Sequence, residues 1–366
     1  MKTIFDKTNF VNLPIKNRIF RSAVWEGVAK NEHMTDELFS IYEELAKGGT
    51  GVIITSFVTV NPDDIPAPNM LGIYDDSFIE EYKKLTDMVH SYGAKIFIQL
   101  VAGGSQGRNN VNLGKTIYGP SAHTNPITGI EAVEMSKEKI DEVVKLFRDA
   151  SARAKKSGFD GVEIHAAHGY LISQFLNPLF NKREDEYGGD VDGRGRLLID
   201  TYLSVREAVG DDFIVGMKIN CDDFVDGGFN FGESSWICER MAMMGMDFIE
   251  ISGGNAIRKV TSPEEESYFK AFANIIAEDN NIPVVLVGGN RDIDSIEEIL
   301  NNSSIEYFAF ARPLIREPNL ANRWESGDRS RAKCISCNGC KGENGVSCIF
   351  NSRKSMSNNK ACSTFY

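Results

Sequence analysis

The chain has 366 residues, of which 42% are hydrophobic and 25% are charged, and its formal net charge is -12. This is the composition of a globular protein, and the acidic excess argues against partners such as nucleic acid or an anionic membrane surface. No apolar run approaches the about 18 residues of a membrane-spanning helix, and the N-terminus lacks the apolar segment of a secretion signal. We therefore expect a cytoplasmic protein that acts on a small molecule, and the sequence leaves a homo-oligomer open.

Strand-like and helix-like segments alternate from residue 17 to residue 312. Apolar and often β-branched segments predict eight strands, at 17–25, 50–58, 94–102, 158–166, 213–219, 246–252, 282–289 and 305–312. Amphipathic segments predict helices between them, for example at 36–49, 76–93, 138–158 and 295–303. Several helices run through a glycine into the next strand, as in SYGAKIFIQ, which is the pattern of a glycine C-cap.

Eight strands separated by helices predict an α/β fold with a parallel sheet, and that sheet closed into a ring is a (β/α)8 TIM barrel. The alternative is an open doubly wound sheet, which in dinucleotide-binding proteins carries GxGxxG after the first strand. No such motif follows residues 17–25. We therefore predict a barrel over residues 1–330, followed by a short cysteine-rich tail over residues 331–366.

The predicted strand ends carry residues that a purely structural barrel does not need. In a TIM barrel the functional groups lie where the strands end and the following loops begin. The residues at these positions are Trp25, Ser56, Gln99, His165, Lys218, Ser252, Gly288, Gly289 and Arg312. Small residues and an arginine after the last two strands favour a phosphate site, because backbone N–H groups can approach an oxyanion there. A helix cap beside a surface arginine is the structural alternative.

The segment EIHAAHGY places two histidines three residues apart and then a tyrosine. His165 and His168 could bind zinc in a metallohydrolase, although the sequence marks no third ligand. They could equally donate hydrogen bonds to a carbonyl oxygen that gains negative charge, with Tyr170 as the proton donor. The histidines alone leave these interpretations open, together with a purely structural role.

The segment GFDGVEIHAAHGYLISQFLNPLFNKREDEYGGDVDGRGR, at residues 158–196, resembles the signature of the old yellow enzyme family, the FMN-dependent ene-reductases. Further matches are LPIKNRIFRSA near the start, KIFIQL in the third predicted strand, and VLVGGNR, FAFARPLIREPNL and RWESGD near the end. More narrowly, the chain resembles the bacterial branch of NADH:flavin oxidoreductases and 2,4-dienoyl-CoA reductases. The resemblance covers residues 1–330 and implies that the barrel binds FMN.

The resemblance also implies positions around the flavin ring. Gln99 would hydrogen-bond the pyrimidine edge, and Lys218 would lie beside N1 and the C2 carbonyl, where a cation favours the anionic reduced ring. Ser22 and Ala23 would pass under the ring, and Ser56 would lie near it. The phosphate of FMN would be held by small residues and an arginine after the last two strands, which are Gly288, Gly289, Ala311 and Arg312.

The reaction implied by the resemblance is reduction of the C=C bond of an α,β-unsaturated carbonyl or enoate compound. NADH or NADPH would reduce the flavin, and flavin N5 would then pass hydride to the substrate. His165 and His168 would bind the substrate's carbonyl or carboxylate, and Tyr170 would protonate the α-carbon. Trp25 stands where relatives carry Cys, Thr or His, so we expect it to contact the substrate and narrow the pocket.

Two other functions stay open on the sequence. One is a flavin-dependent amine demethylase or dehydrogenase of the same fold. The other is a metal-binding or sensor protein in which the barrel is not catalytic, because five cysteines crowd the end of the chain. CISCNGCKGENGVSC supplies Cys334, Cys337, Cys340 and Cys348, four thiolates that could hold a [4Fe–4S] cluster, as in the dienoyl-CoA reductase branch, or zinc, or nothing.

Overall fold

Eight parallel strands form a closed barrel in the computed structural model, which describes residues 1–254, 258–342 and 345–351. The strands are β1 (Ile19–Arg21), β2 (Val52–Thr59), β3 (Lys95–Val101), β4 (Gly161–Ala166), β5 (Ile214–Asn220), β6 (Phe248–Ser252), β7 (Val284–Leu286) and β8 (Tyr307–Phe310). Neighbours in sequence pair in parallel, and β8 and β2 both pair with β1, which closes the ring. The predicted TIM barrel is therefore confirmed. Each strand lies within its predicted segment or extends one residue beyond it.

Helices cover the outside of the barrel between successive strands. They are α1 (Asp36–Lys47), α2 (Ile79–Ser91), α3 (Lys137–Lys156), α4 (Val191–Val209), α5 (Phe231–Met243), α6 (Lys270–Asn280), α7 (Ile293–Asn302) and α8 (Leu320–Glu325). Five of these eight helices begin at a side-chain cap, as α1 does at Thr35, whose hydroxyl accepts from the Leu38 N–H. The predicted glycine caps are also present, since Gly93 after α2 and Gly158 after α3 have φ of 67° and 81°.

An aromatic cluster fills the end of the barrel at which the strands begin. A hairpin of Thr8–Phe10 and Leu13–Ile15 places Phe10 against the first residues of several strands. Its ring centroid lies 4.9 Å from that of Phe20, 5.2 Å from that of Phe248 and 4.8 Å from that of Tyr307. This end is packed apolar core, so it leaves only the opposite end of the strands for a site.

Short elements in the loops shape that opposite end. Three helices, Arg108–Asn112, Leu171–Leu176 and Arg312–Arg316, follow β3, β4 and β8. A small sheet of Tyr118–Gly119, His123–Thr124 and Glu131–Glu134 also follows β3, and Leu71–Gly72 pairs with the end of β2. Within the described ranges, the helices are all too short or too polar to cross a membrane.

The described part of the cysteine-rich tail packs on the mouth of the barrel. Lys341–Gly342 and Gly345–Val346 form a short hairpin, and the Val346 N–H donates to the Glu26 carbonyl at 2.8 Å. The Arg312 guanidinium, directly after β8, donates to Asn338 Oδ1 in the tail. The tail is therefore part of the wall around the strand ends.

Candidate active site

A cavity of about 560 Å³ opens at the C-terminal ends of the barrel strands. Most of the residues predicted at the site line it together: Ser22, Ala23, Trp25, Gln99, His165, His168, Tyr170, Lys218, Gly288, Ala311 and Arg312. They come from loops and strands that are far apart in sequence, and barrel closure brings their ends to one mouth. The size and the mixed apolar and polar lining are those of a cofactor or substrate site.

A smaller cavity of about 60 Å³ adjoins the large one at the ends of β7 and β8. Gly288 and Gly289 line it with φ of 105° and 77°, values that side chains other than glycine rarely adopt. A Cβ on Gly288 would lie 2.6 Å from Tyr268 Cε2, so the backbone can approach a ligand here only as glycine. The Arg291 side chain also lines the cavity, and its Nε lies 3.7 Å from Glu266 Oε1, an ion pair too long to be a hydrogen bond. Exposed backbone N–H groups beside a cationic side chain fit a phosphate group.

Ser56 lies behind the wall of the large cavity and does not line it. The pairing of β2 with β3 shifts its register between Ile54 and Phe57, and the Phe57 ring lines the cavity instead. The Ser56 N–H donates to the buried Tyr42 hydroxyl at 2.9 Å. The irregular pairing, which no local sequence pattern revealed, thus exchanges the residues that face the two sides of the strand.

His165 and His168 line the cavity as a pair, with ring centroids 5.1 Å apart and planes nearly perpendicular. Burial, with the nearby Lys218 charge, holds the pKa of both imidazoles well below its usual range, so both are neutral at pH 7. The Ala167 N–H donates to His165 Nδ1 at 3.3 Å, which leaves the ring proton on Nε2. The Nε2–H of His165 therefore has no acceptor within the described part of the chain, while His168 Nε2 lies 2.7 Å from Ser252 Oγ.

The Tyr170 ring packs between His165 and Phe57, at centroid distances of 4.8 and 5.4 Å. It follows two residues with positive φ, His168 and Gly169, at 59° and 76°. This turn reverses the chain sharply enough to place the histidines and the phenol on one side. Burial, together with the negative charge of Asp64, raises the pKa of Tyr170, so the phenol keeps its proton at neutral pH.

A buried ammonium group lies at the cavity floor. Lys218 on β5 is 4% exposed, and its Nζ donates to Ser22 Oγ at 2.8 Å and to Glu250 Oε1 at 3.0 Å. Gln99 on β3 lines the same floor, and its side-chain amide donates to Glu163. A cation and an amide at the floor can bind the polar edge of a heterocycle, and the glycine loops can bind its phosphate. The residues present therefore fit FMN.

The four predicted tail ligands surround a third, small cavity. Cys334, Cys337, Cys340 and Cys348 line it as free thiols, together with Arg312. Cys334 also lines the phosphate-sized cavity, and Cys340 also lines the large one. Among residues 1–254, 258–342 and 345–351, no three His, Cys, Asp or Glu side chains are grouped to bind a metal ion. The fifth tail cysteine, Cys362, lies outside the described residues.

Several lining residues were missed by sequence reasoning. Tyr268 and Arg291 border the glycine loops, Phe57 faces the histidines, and Asn338 reaches the mouth from the tail. Arg291 stands directly after VLVGGN, so its position two residues beyond the glycines was a usable signal. Tyr268 and Asn338 had none, because their approach depends on loops that are distant in sequence. Phe57 had none either, because the register shift of β2 against β3 turns it toward the cavity.

The comparisons with known proteins agree with this geometry. Residues 3–330 match the family model described as the NADH:flavin oxidoreductase / NADH oxidase family. A metal reductase of Desulforamulus reducens is 35% identical over 93% of this chain and 51% of its own length. The NADPH dehydrogenase of Bacillus subtilis is 34% identical over 87% of this chain and 93% of its own.

The fold has close structural counterparts as well. The old yellow enzyme homologue from Zymomonas mobilis superposes with a TM-score of 0.77 at 25% identity, over 90% of this chain and 94% of that one. This chain spans about half the length of the metal reductase that it matches. With a family match over residues 3–330 and a relative of similar length above 30% identity, the chain belongs to the NADH:flavin oxidoreductase / NADH oxidase family, the old yellow enzymes.

Proposed function

We propose that the protein is an FMN-dependent NAD(P)H oxidoreductase that reduces the C=C bond of α,β-unsaturated carbonyl or enoate compounds. The observation that carries the proposal is the meeting of His165, His168 and Tyr170 over a floor that contains Lys218 and Gln99. Relatives named NADPH dehydrogenase and NADH oxidase support the use of a nicotinamide. When bound, FMN supplies hydride transfer between the nicotinamide and the alkene.

The chain's own residues bind the substrate's oxygen, protonate the substrate and hold the cofactor. The neutral His165 donates its Nε2–H to the substrate's carbonyl oxygen, and His168 donates a second hydrogen bond to the same oxygen. Both histidines therefore stabilise the negative charge that develops there. Tyr170 holds its proton in the buried site and donates it to the substrate's α-carbon. Lys218 and Gln99 bind the polar edge of the flavin, and Arg312 with the Gly288–Gly289 loop binds its phosphate.

The test is a visible spectrum of the purified protein followed by anaerobic assays. We expect bound flavin, reduction of that flavin by NADH or NADPH, and reoxidation by an α,β-unsaturated carbonyl compound. A secondary or tertiary amine, as the substrate of a demethylase or dehydrogenase, serves as the comparison compound. Protein that neither carries nor takes up FMN contradicts the proposal, and so does flavin reduction by the amine without reoxidation by the alkene.

The same proposal includes a [4Fe–4S] cluster on Cys334, Cys337, Cys340 and Cys348. The supporting observation is that all four thiols line one cavity next to the flavin site, and four cysteine thiolates are the usual ligands of such a cluster. Such a cluster would supply one-electron transfer. Iron and acid-labile sulfide in anaerobically purified protein would support the assignment, with Cys221→Ser as the control because that buried thiol lies in the barrel. We expect Cys337→Ser to lose iron and the control Cys221→Ser to retain it.

A further inference from the structure

Two acidic side chains lie beneath the floor of the cavity, and the reaction proposed above gives neither of them a role. Glu163 on β4 and Glu250 on β6 are both 0% exposed. Alternate strands supply the side chains of one interior layer in a TIM barrel, so β4 and β6 bring these acids together. Two carboxylates that share a buried site cannot both ionise without a large cost, so the pair requires an explanation.

The hydrogen bonds of the pair are incomplete in a matching way. Glu163 Oε2 accepts from the Gln99 side-chain amide. Glu250 Oε1 accepts from Lys218 Nζ at 3.0 Å and from Ser22 Oγ at 2.7 Å. The remaining oxygens, Glu163 Oε1 and Glu250 Oε2, are buried, and no donor in the described part of the chain reaches them. A single proton held between the two acids gives both of these oxygens a hydrogen bond.

The charges around the pair call for the same single proton. The cations that face it are Lys218 on β5 and Arg21 on β1, and Arg21 also lies 3.6 Å from the buried Glu26. Above about pH 7, where Glu26 is ionised, three carboxyl groups thus face two cations, and one bound proton makes the cluster neutral. Burial, followed by the charge of Glu250, raises the pKa of Glu163 well above its usual range, which assigns the proton to Glu163.

We propose that Glu163 and Glu250 share one proton beneath the cavity and act as positioning residues for the flavin floor. The protonated Glu163 donates to Glu250 and accepts from Gln99, which fixes the orientation of the Gln99 amide. The Glu250 carboxylate holds Lys218 and offsets its charge. This inference rests on the proposed FMN site, but the proton itself belongs to the protein.

The consequence is a floor with little net charge, because the carboxylate of Glu250 opposes the ammonium group that would otherwise stabilise the reduced, anionic flavin. Removing either acid alone leaves one carboxylate in the pair, since the remaining acid then carries the charge. Removing both leaves Lys218 without a carboxylate partner at the floor. The two cases predict different flavin potentials.

The first experiment detects the proton directly. The infrared carbonyl stretch of a carboxylic acid is recorded on the protein as purified, at about pH 9, where Glu26 with its pKa of about 7 is ionised. We expect a band that is lost in Glu163→Gln and retained in the matched control Glu26→Gln. Absence of such a band in the wild type overturns the proposal without any variant, and so does its persistence in Glu163→Gln. The band does not require flavin, so failure of the FMN proposal is distinguishable.

The second experiment measures the flavin potential of the loaded enzyme. In Glu163→Gln the amide replaces a neutral acid, and the ratio of reduced to oxidised flavin at a fixed potential should stay within about threefold of wild type. In the double variant Glu163→Gln/Glu250→Gln that ratio should rise at least about tenfold, which is about 30 mV for a two-electron couple. A tenfold rise in Glu163→Gln alone would show that Glu163 is ionised in the wild type and would overturn the proposal.

Discussion

Replacing Glu26 with glutamine should change how the stability of the protein depends on pH. Glu26 is 4% exposed, in the loop after β1. Its Oε2 accepts from the Tyr42 hydroxyl at 3.3 Å, and its Oε1 lies 3.6 Å from Arg21 Nη2. Burial outweighs the Arg21 charge and raises the pKa of Glu26 from 4.5 to about 7. Glutamine keeps the size and the hydrogen-bonding groups but cannot ionise.

The magnitude follows from that pKa. Between about pH 4.5 and pH 7 the unfolded chain has lost a proton that the folded protein still holds, so the free energy of unfolding falls as the pH rises. A displacement of about 2.5 pH units, at about 1.36 kcal/mol per unit, amounts to about 3 kcal/mol. The stabilising contribution of the protonated acid is therefore complete below about pH 4.5 and is lost once the pH has risen through about 7.

The assay is urea unfolding of FMN-saturated wild type and Glu26→Gln at a series of pH values. The difference in unfolding free energy, variant minus wild type, should grow by about 3 kcal/mol from about pH 4.5 to about pH 8. Glu239→Gln, at an exposed position on α5, is the matched control and should show no such trend. A pH-independent difference for Glu26→Gln would refute the reasoning, because it would mean that the carboxyl group titrates alike in both states.

Three further changes test the site. Tyr170→Phe keeps the packed ring but removes the proton donor. In stopped-flow half-reactions, flavin reduction by NAD(P)H should persist while alkene reduction slows by about 10²–10⁴-fold. Equal losses in both half-reactions would contradict the donor role. Gly289→Ala would place a Cβ 2.9 Å from Tyr268 Cδ1 at a φ of 77°, so the variant should lose FMN on dialysis; full retention would argue against a phosphate loop there. Trp25→Ala removes an indole that donates to the Pro68 carbonyl at 2.9 Å across the cavity mouth. The KM for bulky alkenes should therefore fall relative to that for small ones. An unchanged ratio of the two KM values would show that Trp25 does not limit the size of the pocket.

Much of the site could be predicted because every strand of a parallel barrel ends at the same mouth, so the residues at the strand ends must lie there. A parallel strand that ends in Gln99, His165 or Lys218 must present that residue at the same mouth, and the register confirms it, with His165 paired to Lys218. The glycines after β7 likewise stand at a loop whose place in the fold follows from strand count. Here the sequence pattern and the resemblance agree, because both depend on residues at strand ends.

The cavity is lined by Phe57 and not by the predicted Ser56, which shows that the local sequence does not always tell which residue of a strand faces the cavity. An irregularity in the β2–β3 pairing turns a neighbouring residue toward the cavity, and pairing is a property of two strands. The position of the tail is equally invisible in the sequence, since its hairpin binds Glu26 near the other end of the chain, and since Asn338 meets Arg312 across 26 residues with no local pattern to mark the contact.

The alternation of apolar strands, amphipathic helices and glycine caps by itself determined the barrel and named the residues at its mouth, because each of these signals depends on neighbours along the chain. Only the tertiary structure decided that Glu163 and Glu250 lie in contact, that four tail thiols surround one cavity, and that both histidines are neutral. Those properties arise from burial and from charges that closure of the barrel brings together. The local sequence determines neither the dielectric environment of these groups nor the distance between β4 and β6.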